Sequence, residues 1–252
     1  MQDQDTPAAT VPLARRPTVD HWFYISMAIC TIITIVLGFA PSLIHTAARK
    51  APPTPLAIAH GIVYAAWLLM FLAQTTLVAT RRISVHRRIG TAAVFLAPVM
   101  IVLGCLTAIV MARRGFDLSG DLHIEADPLL GLVNPLGDLF LFGILVAAGY
   151  WCRNRSDIHK RLMLLATVGG LMPAPLAHLI GHFPRLNEMP PIIIVPLVLF
   201  LFASAVYDRV SLGRIHPVSL WVAAAIFVWQ LSLNIVIGPS AAWHQFARWL
   251  VG

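Results

Sequence analysis

Two sets of residues in this chain have the types and spacings that chemistry requires. The first is His60, Asp138, His178 and His182, with His45 as a further candidate at the same level. Imidazoles joined by a carboxylate suit zinc or copper. His178 and His182 stand four residues apart, which stacks two ring nitrogens on one side of a helix. The second set is His86 and His159, each followed by two basic residues that include Arg88 and Arg161. Two histidines on different helices at equal depth can be axial ligands of a b-type haem, with the arginines facing its propionates. The same basic strip is also the composition of a docking site for anionic lipid or phosphate.

Plainer readings stand beside both. Histidines near the ends of membrane helices reach for headgroups. A carboxylate in the first turn of a helix complements its dipole, and basic loops anchor topology. At the level of sequence these alternatives stay open.

The elements that position these residues are membrane helices. Of 252 residues, 58% are hydrophobic and only 12% are charged, too few to cover a water-soluble domain of this length. Apolar runs of about 20 residues match the roughly 30 Å of hydrocarbon that a helix must cross. They place spans at Trp22 to Ile44, Pro55 to Thr80, Ile89 to Ala112, Pro135 to Cys152, Leu162 to His182, Pro191 to Tyr207 and Pro217 to Gly238. Proline opens the fourth, sixth and seventh, where its missing N–H costs nothing. The expected fold is therefore an all-α polytopic bundle of seven spans: a leading helix followed by three hairpins. Residues 1–20 form a polar tail, 21–240 the seven-span domain and 241–252 a tail in the headgroup zone. The polar segment before Trp22 does not read as a signal peptide.

Arginine supplies 16 of the 18 basic residues, and the formal net charge is +7. That charge lies in short loops, which argues against nucleic acid as a partner. With the N-terminus in the cytoplasm, twelve basic residues fall on the inner side and six on the outer. The C-terminus is then outside. A weak internal repeat agrees, with Arg82-Ile-Ser-Val-His86-Arg-Arg88 aligning with Arg155-Ser-Asp-Ile-His159-Lys-Arg161 and a looser copy at Arg214-Ile-His216-Pro217. In this frame His60, Asp138, His178 and His182 lie near the outer face, and His86 and His159 near the inner face.

Other features are less directive. His60, Trp67 and Gln74 recur every seven residues and share one helix face, a pattern of helix packing or of a polar path. Pro173 and Pro175 interrupt the fifth span after Gly169 and Gly170, which favours an opening beside His178. The stretch Arg113 to Asn134, with His123, is long enough to cover the outer mouth. Cys30, Cys105 and Cys152 form no CxxC pair and read as buried thiols.

One resemblance spans nearly all the chain from His60 onward. The pattern His60-Gly61, Trp67, Gln74, His86-Arg-Arg-Ile-Gly90, with Asp157-Ile-His159-Lys-Arg-Leu-Met163 and Gly213-Arg-Ile-His216-Pro217, resembles a group of uncharacterised bacterial inner-membrane proteins. It implies that location and brings no activity with it. In outline the chain is also similar to b-type transmembrane cytochromes, which pair histidines across helices. A second outline similarity is to the seven-span intramembrane zinc hydrolases (ceramidase and progestin-receptor-like), which combine HxxxH with a further histidine and an aspartate. Here His178-Leu-Ile-Gly-His182 sits in the fifth span rather than the last.

The expectation is an inner-membrane protein whose outer leaflet holds a histidine-rich site for a transition metal (zinc, copper or iron) or haem b, serving electron transfer or cofactor handling. An intramembrane zinc hydrolase is the alternative, with a transporter or a cofactor-free structural subunit beyond it. The expected partners are the lipid bilayer and a second membrane subunit.

Overall fold

A computed structural model describes residues 17–46, 49–120, 122, 124–183 and 194–252. Among these the chain forms helices, turns and loops, with no β-strand. Seven helices are long and apolar enough to cross a bilayer: His21–Ile44, Pro55–Ala79, Ile83–Arg114, Pro128–Trp151, Ser156–Gly181, Ile194–Leu212 and Pro217–Ile237. Large apolar side chains such as Phe95, Trp151, Val210 and Trp221 point outward. In water that surface would aggregate, whereas in lipid it is the matching solvent.

The expected hairpins are present: the second span packs on the third, the fourth on the fifth and the sixth on the seventh. The fifth is the central helix, with 67% of its apolar window buried against at most 44% in any other span. Small residues let it sit deep. A Cβ on Gly170 would stand 2.6 Å from Cβ of Phe142 on the fourth span. One on Gly38 of the first span would stand 2.3 Å from the Pro175 carbonyl. Close backbone approach of this kind replaces the hydrophobic effect as the packing force in lipid. The fifth span runs as two consecutive helices, Ser156–Leu171 and Pro173–Gly181, joined at Met172.

Three span boundaries differ from expectation for physical reasons. The third begins at Ile83, because Arg87 and Arg88 are good helix formers and lie exposed on turns preceding the apolar run. The fifth begins at Ser156 for a similar reason, its first turns carrying Lys160 and Arg161. The fourth begins at Pro128, where Asp127 accepts from the Leu130 N–H at 2.9 Å and caps a short turn, Pro128–Gly131, that leads into Val133–Trp151. That start moves Asp138 from the first turn to about 15 Å along the span at 1.5 Å per residue. Pro191, most of the N-terminal tail and His123 lie outside the described residues.

Chain connectivity gives the bundle two faces. One carries the turns at 80–82, 152–155 and 213–216 and is rich in arginine. The other carries the long loops and the C-terminal helix Ala241–Val251. That helix rests on the ends of the third and fourth spans. Trp243 Nε1 donates to the Leu129 carbonyl at 2.8 Å, and Arg113 Nε to the Val251 carbonyl at 2.5 Å. His244 Nε2 meets Asp127 at 2.9 Å. The Asp127 hydrogen bond raises the affinity of His244 for its proton, and the same bond holds Asp127 below the usual carboxylate range. Phe246 and Trp249 remain exposed, as in a segment lying in a headgroup zone.

Candidate functional site

The long-loop face divides its expected ligands among separate partners. His178 Nδ1 lies 3.2 Å from Ser119 Oγ, and its ring packs against Phe39. Ser119 in turn donates to Asp117 at 2.6 Å. The loop after the third span thus covers His178, as its length allowed. Burial works against the charge of Asp117, yet the Ser119 hydroxyl, nearby His178 and the Gly120 and Leu122 amides outweigh it and keep the carboxyl below its ordinary range. His182 Nε2 reaches the Gly38 carbonyl at 3.3 Å. Asp138 is buried and accepts from Gln230 Nε2 at 2.6 Å, a residue of the seventh span. His60 stacks on Tyr64, with ring centres 4.0 Å apart. His45 is exposed. Among the described residues, no group of three or more His, Cys, Asp or Glu side chains is arranged to hold a metal ion.

The second, fourth and fifth spans do meet, but at Trp67. Its ring is edge-on to Phe142 with centres 4.9 Å apart, and its Nε1 donates to Thr167 Oγ1 at 3.3 Å.

At the arginine-rich face the expected histidine pair comes together. His86 of the third span and His159 of the fifth have ring centres 6.3 Å apart, with planes at 83°. His159 Nδ1 donates to the Gly149 carbonyl at 2.8 Å, which leaves Nε2 as its lone-pair nitrogen. His86 Nδ1 is buried with no partner. Both polar atoms of the Gln74 side chain are also buried without partners. Gly90, one turn after His86, keeps this face low: a Cβ there would stand 3.4 Å from Gln74 Nε2. Arg88 is exposed and, two residues on in the same helix, points away from His86, so the expected propionate role finds no support in its placement.

Arg161 is committed elsewhere. It is 2% exposed and forms a two-pronged ion pair with Asp208 of the sixth span, itself 1% exposed. Arg161 Nε also lies 2.9 Å from Ser219 Oγ of the seventh span, and one terminal nitrogen donates to the Asp157 carbonyl at 2.6 Å. Ser219 donates to Asp208 at 2.5 Å. His216 completes the cluster: its Nε2 lies 3.3 Å from Asp157, and its Nδ1 caps the seventh span by accepting from the Val218 N–H at 3.2 Å. A haem propionate could use Arg161 only by breaking this pair.

Sequence reading missed Asp208, Ser219, Tyr64 and Thr107. Asp208 had a signal, as the lone acidic residue of the sixth span. Asp157 and His216 were visible inside motifs, but nothing in the chain order pairs residues 59 positions apart. Thr107 carried no signal at all; its hydroxyl, on the third span, is buried without a partner. Set against known proteins, the chain matches no family model, no curated protein and no solved structure.

Proposed function

We propose that this integral membrane protein binds one haem b between His86 and His159 and passes single electrons at its arginine-rich face, oriented to the cytoplasm of a bacterial inner membrane. The observation that carries the reading is the spacing of the imidazole pair. Two imidazoles sharing one metal ion have ring centres roughly 6 Å apart, since each metal–nitrogen bond is about 2.0 Å. Here the centres are 6.3 Å apart on two different spans. The Gly149 carbonyl sets the tautomer of His159 and orients its ring, as outer partners of ligating histidines do. The unpartnered buried atoms of His86 and Gln74 are groups that a ligand held here would satisfy. Haem would supply a one-electron couple between ferric and ferrous iron. The chain's part is to hold both rings and to orient them. Orientation follows from the arginine excess on that face.

The test is an absorption spectrum of the purified full chain. A Soret band is expected, lost on His86→Ala or His159→Ala and retained in His178→Ala. A protein with no Soret band after expression with ample haem supply would overturn the reading.

A further inference from the structure

The turn between the second and third spans and the helix start that follows it carry four exposed arginines: Arg81, Arg82, Arg87 and Arg88. None of these side chains has a hydrogen bond, ion pair or aromatic partner among the described residues. The other two turns of this face leave fewer cations unengaged. Arg153 lies over the Tyr150 ring at 4.4 Å and donates to the Tyr150 carbonyl, and Arg209 donates to the Gly213 carbonyl at 2.9 Å. The carboxylates described on the face, Asp157 and Asp208, are held by His216 and Arg161. Arg81 carries a second sign. Among the described residues it is the one non-glycine with a left-handed backbone, at φ 60°. Its N–H bonds the Val78 carbonyl at 3.1 Å and that of Arg82 bonds the Leu77 carbonyl at 2.8 Å, the pattern in which glycine usually ends a helix. Glycine does fill the left-handed positions after the third and sixth spans, at Gly115 and Gly213. An arginine strains the backbone where glycine would not, so the turn itself gives no reason for Arg81.

We infer that this turn binds the headgroup of an anionic phospholipid in the adjoining leaflet. A guanidinium fork bonds two phosphate oxygens at once. A zwitterionic headgroup brings its own ammonium, whereas four uncompensated arginines match a headgroup of net negative charge. The apolar neighbours favour lipid over a soluble acidic protein. Ile83 stands four residues before Arg87 and Val85 three before Arg88, and both are exposed. The outward arc of these first turns therefore presents charge and hydrocarbon side by side, as residues at a headgroup boundary do. His86 lies off that arc, half-buried beside His159, so the proposal stands apart from the haem reading.

The experiment titrates the purified full chain, in a neutral detergent, with phosphatidylglycerol or phosphatidylcholine of identical acyl chains, and counts retained lipid by native mass spectrometry. Phosphatidylglycerol should bind about tenfold more tightly, from several arginines acting together. Arg81→Gly and Arg88→Gln should each weaken it about fivefold, the effect of one arginine at an anionic surface, and leave phosphatidylcholine unmoved. Arg81→Gly should also raise the unfolding temperature in lipid-free detergent, because glycine relieves the left-handed strain. Opposite movements of affinity and stability separate a lost contact from a lost fold. Arg248→Gln, on the C-terminal helix of the opposite face, should change neither. Soluble glycerol 3-phosphate should fail to displace the lipid. Equal binding of the two lipids would leave the arginines to an acidic protein partner and overturn the proposal. A preference that survives both Arg81→Gly and Arg88→Gln, one that falls equally in Arg248→Gln, or displacement by glycerol 3-phosphate would overturn it as well.

Discussion

The two most polar regions of this bundle treat their buried groups in opposite ways. Where the fifth, sixth and seventh spans meet the arginine-rich face, Arg161, Asp208, Ser219, Asp157 and His216 are joined in one network. On the hairpin of the second and third spans, His60, Gln74, His86 and Thr107 hold five of the seven orphaned buried atoms found among the described residues; the other two belong to Asp117 and Ser204. A buried polar group without a partner is costly, and in lipid no water is at hand to relieve it. A closed network therefore reads as architecture, locking three helices at fixed depth. An open one reads as a place prepared for something else. The difference between the regions, rather than the count of histidines in either, is what the proposed haem site rests on.

Substitutions should affect the two regions in opposite ways, and the largest effect should come from the closed side. Asp208→Ala leaves a buried guanidinium unpaired and should cost about 3–5 kcal/mol of stability in detergent unfolding experiments. The double variant Arg161→Met, Asp208→Leu should recover most of the loss, because apolar replacement removes both desolvation penalties. Equal damage by single and double variants would show that the network does more than hold helices. On the open side the sign should reverse. Gln74→Leu in ligand-free protein should raise stability by about 1–2 kcal/mol, since it deletes an unsatisfied amide. A loss on this substitution would mean that the Gln74 amide is already satisfied and the hairpin is as closed as the ion pair.

The smallest effect belongs to the C-terminal helix. His244 has a raised proton affinity, so its contribution is complete below about pH 6.5 and fades as pH rises through its folded value. Asp127 is depressed, so its contribution is complete above about pH 3.9 and fades as pH falls through its folded value. The two overlap between about pH 4 and 6.5, where docking of this helix should be tightest. Amide exchange of residues 241–251 across that range should show a shallow minimum, absent in His244→Ala. The pair is partly exposed, and salt should flatten the effect further.

The fold was legible because hydrocarbon thickness imposes one length on every span, and apolar runs report it directly. What failed were the first turns of the third and fifth spans, where Arg87, Arg88 and Arg161 break the apolar run without breaking the helix. At the fourth, the cap at Asp127 lay hidden in a loop-like stretch. The histidine pair was half legible: motif similarity flagged His86 and His159, but only packing sets them side by side. The long-loop set shows the converse. His60, Asp138 and His178 share a broad zone of the sequence map, yet each turns to a different neighbour, because depth along a helix says nothing about rotation around it. Arg161 failed for a related reason. Its basic loop looked like surface charge, and its buried partner lies 47 residues away.

Two imidazoles from different spans sharing one iron would have their own spectroscopic signature, and electron paramagnetic resonance of the oxidised full chain reads it. The expected result is a low-spin ferric signal of bis-imidazole type, one per chain, converted to high spin or lost in both His86→Ala and His159→Ala. A low-spin signal that survives either substitution, or a haem-supplied protein with no ferric signal, would contradict it.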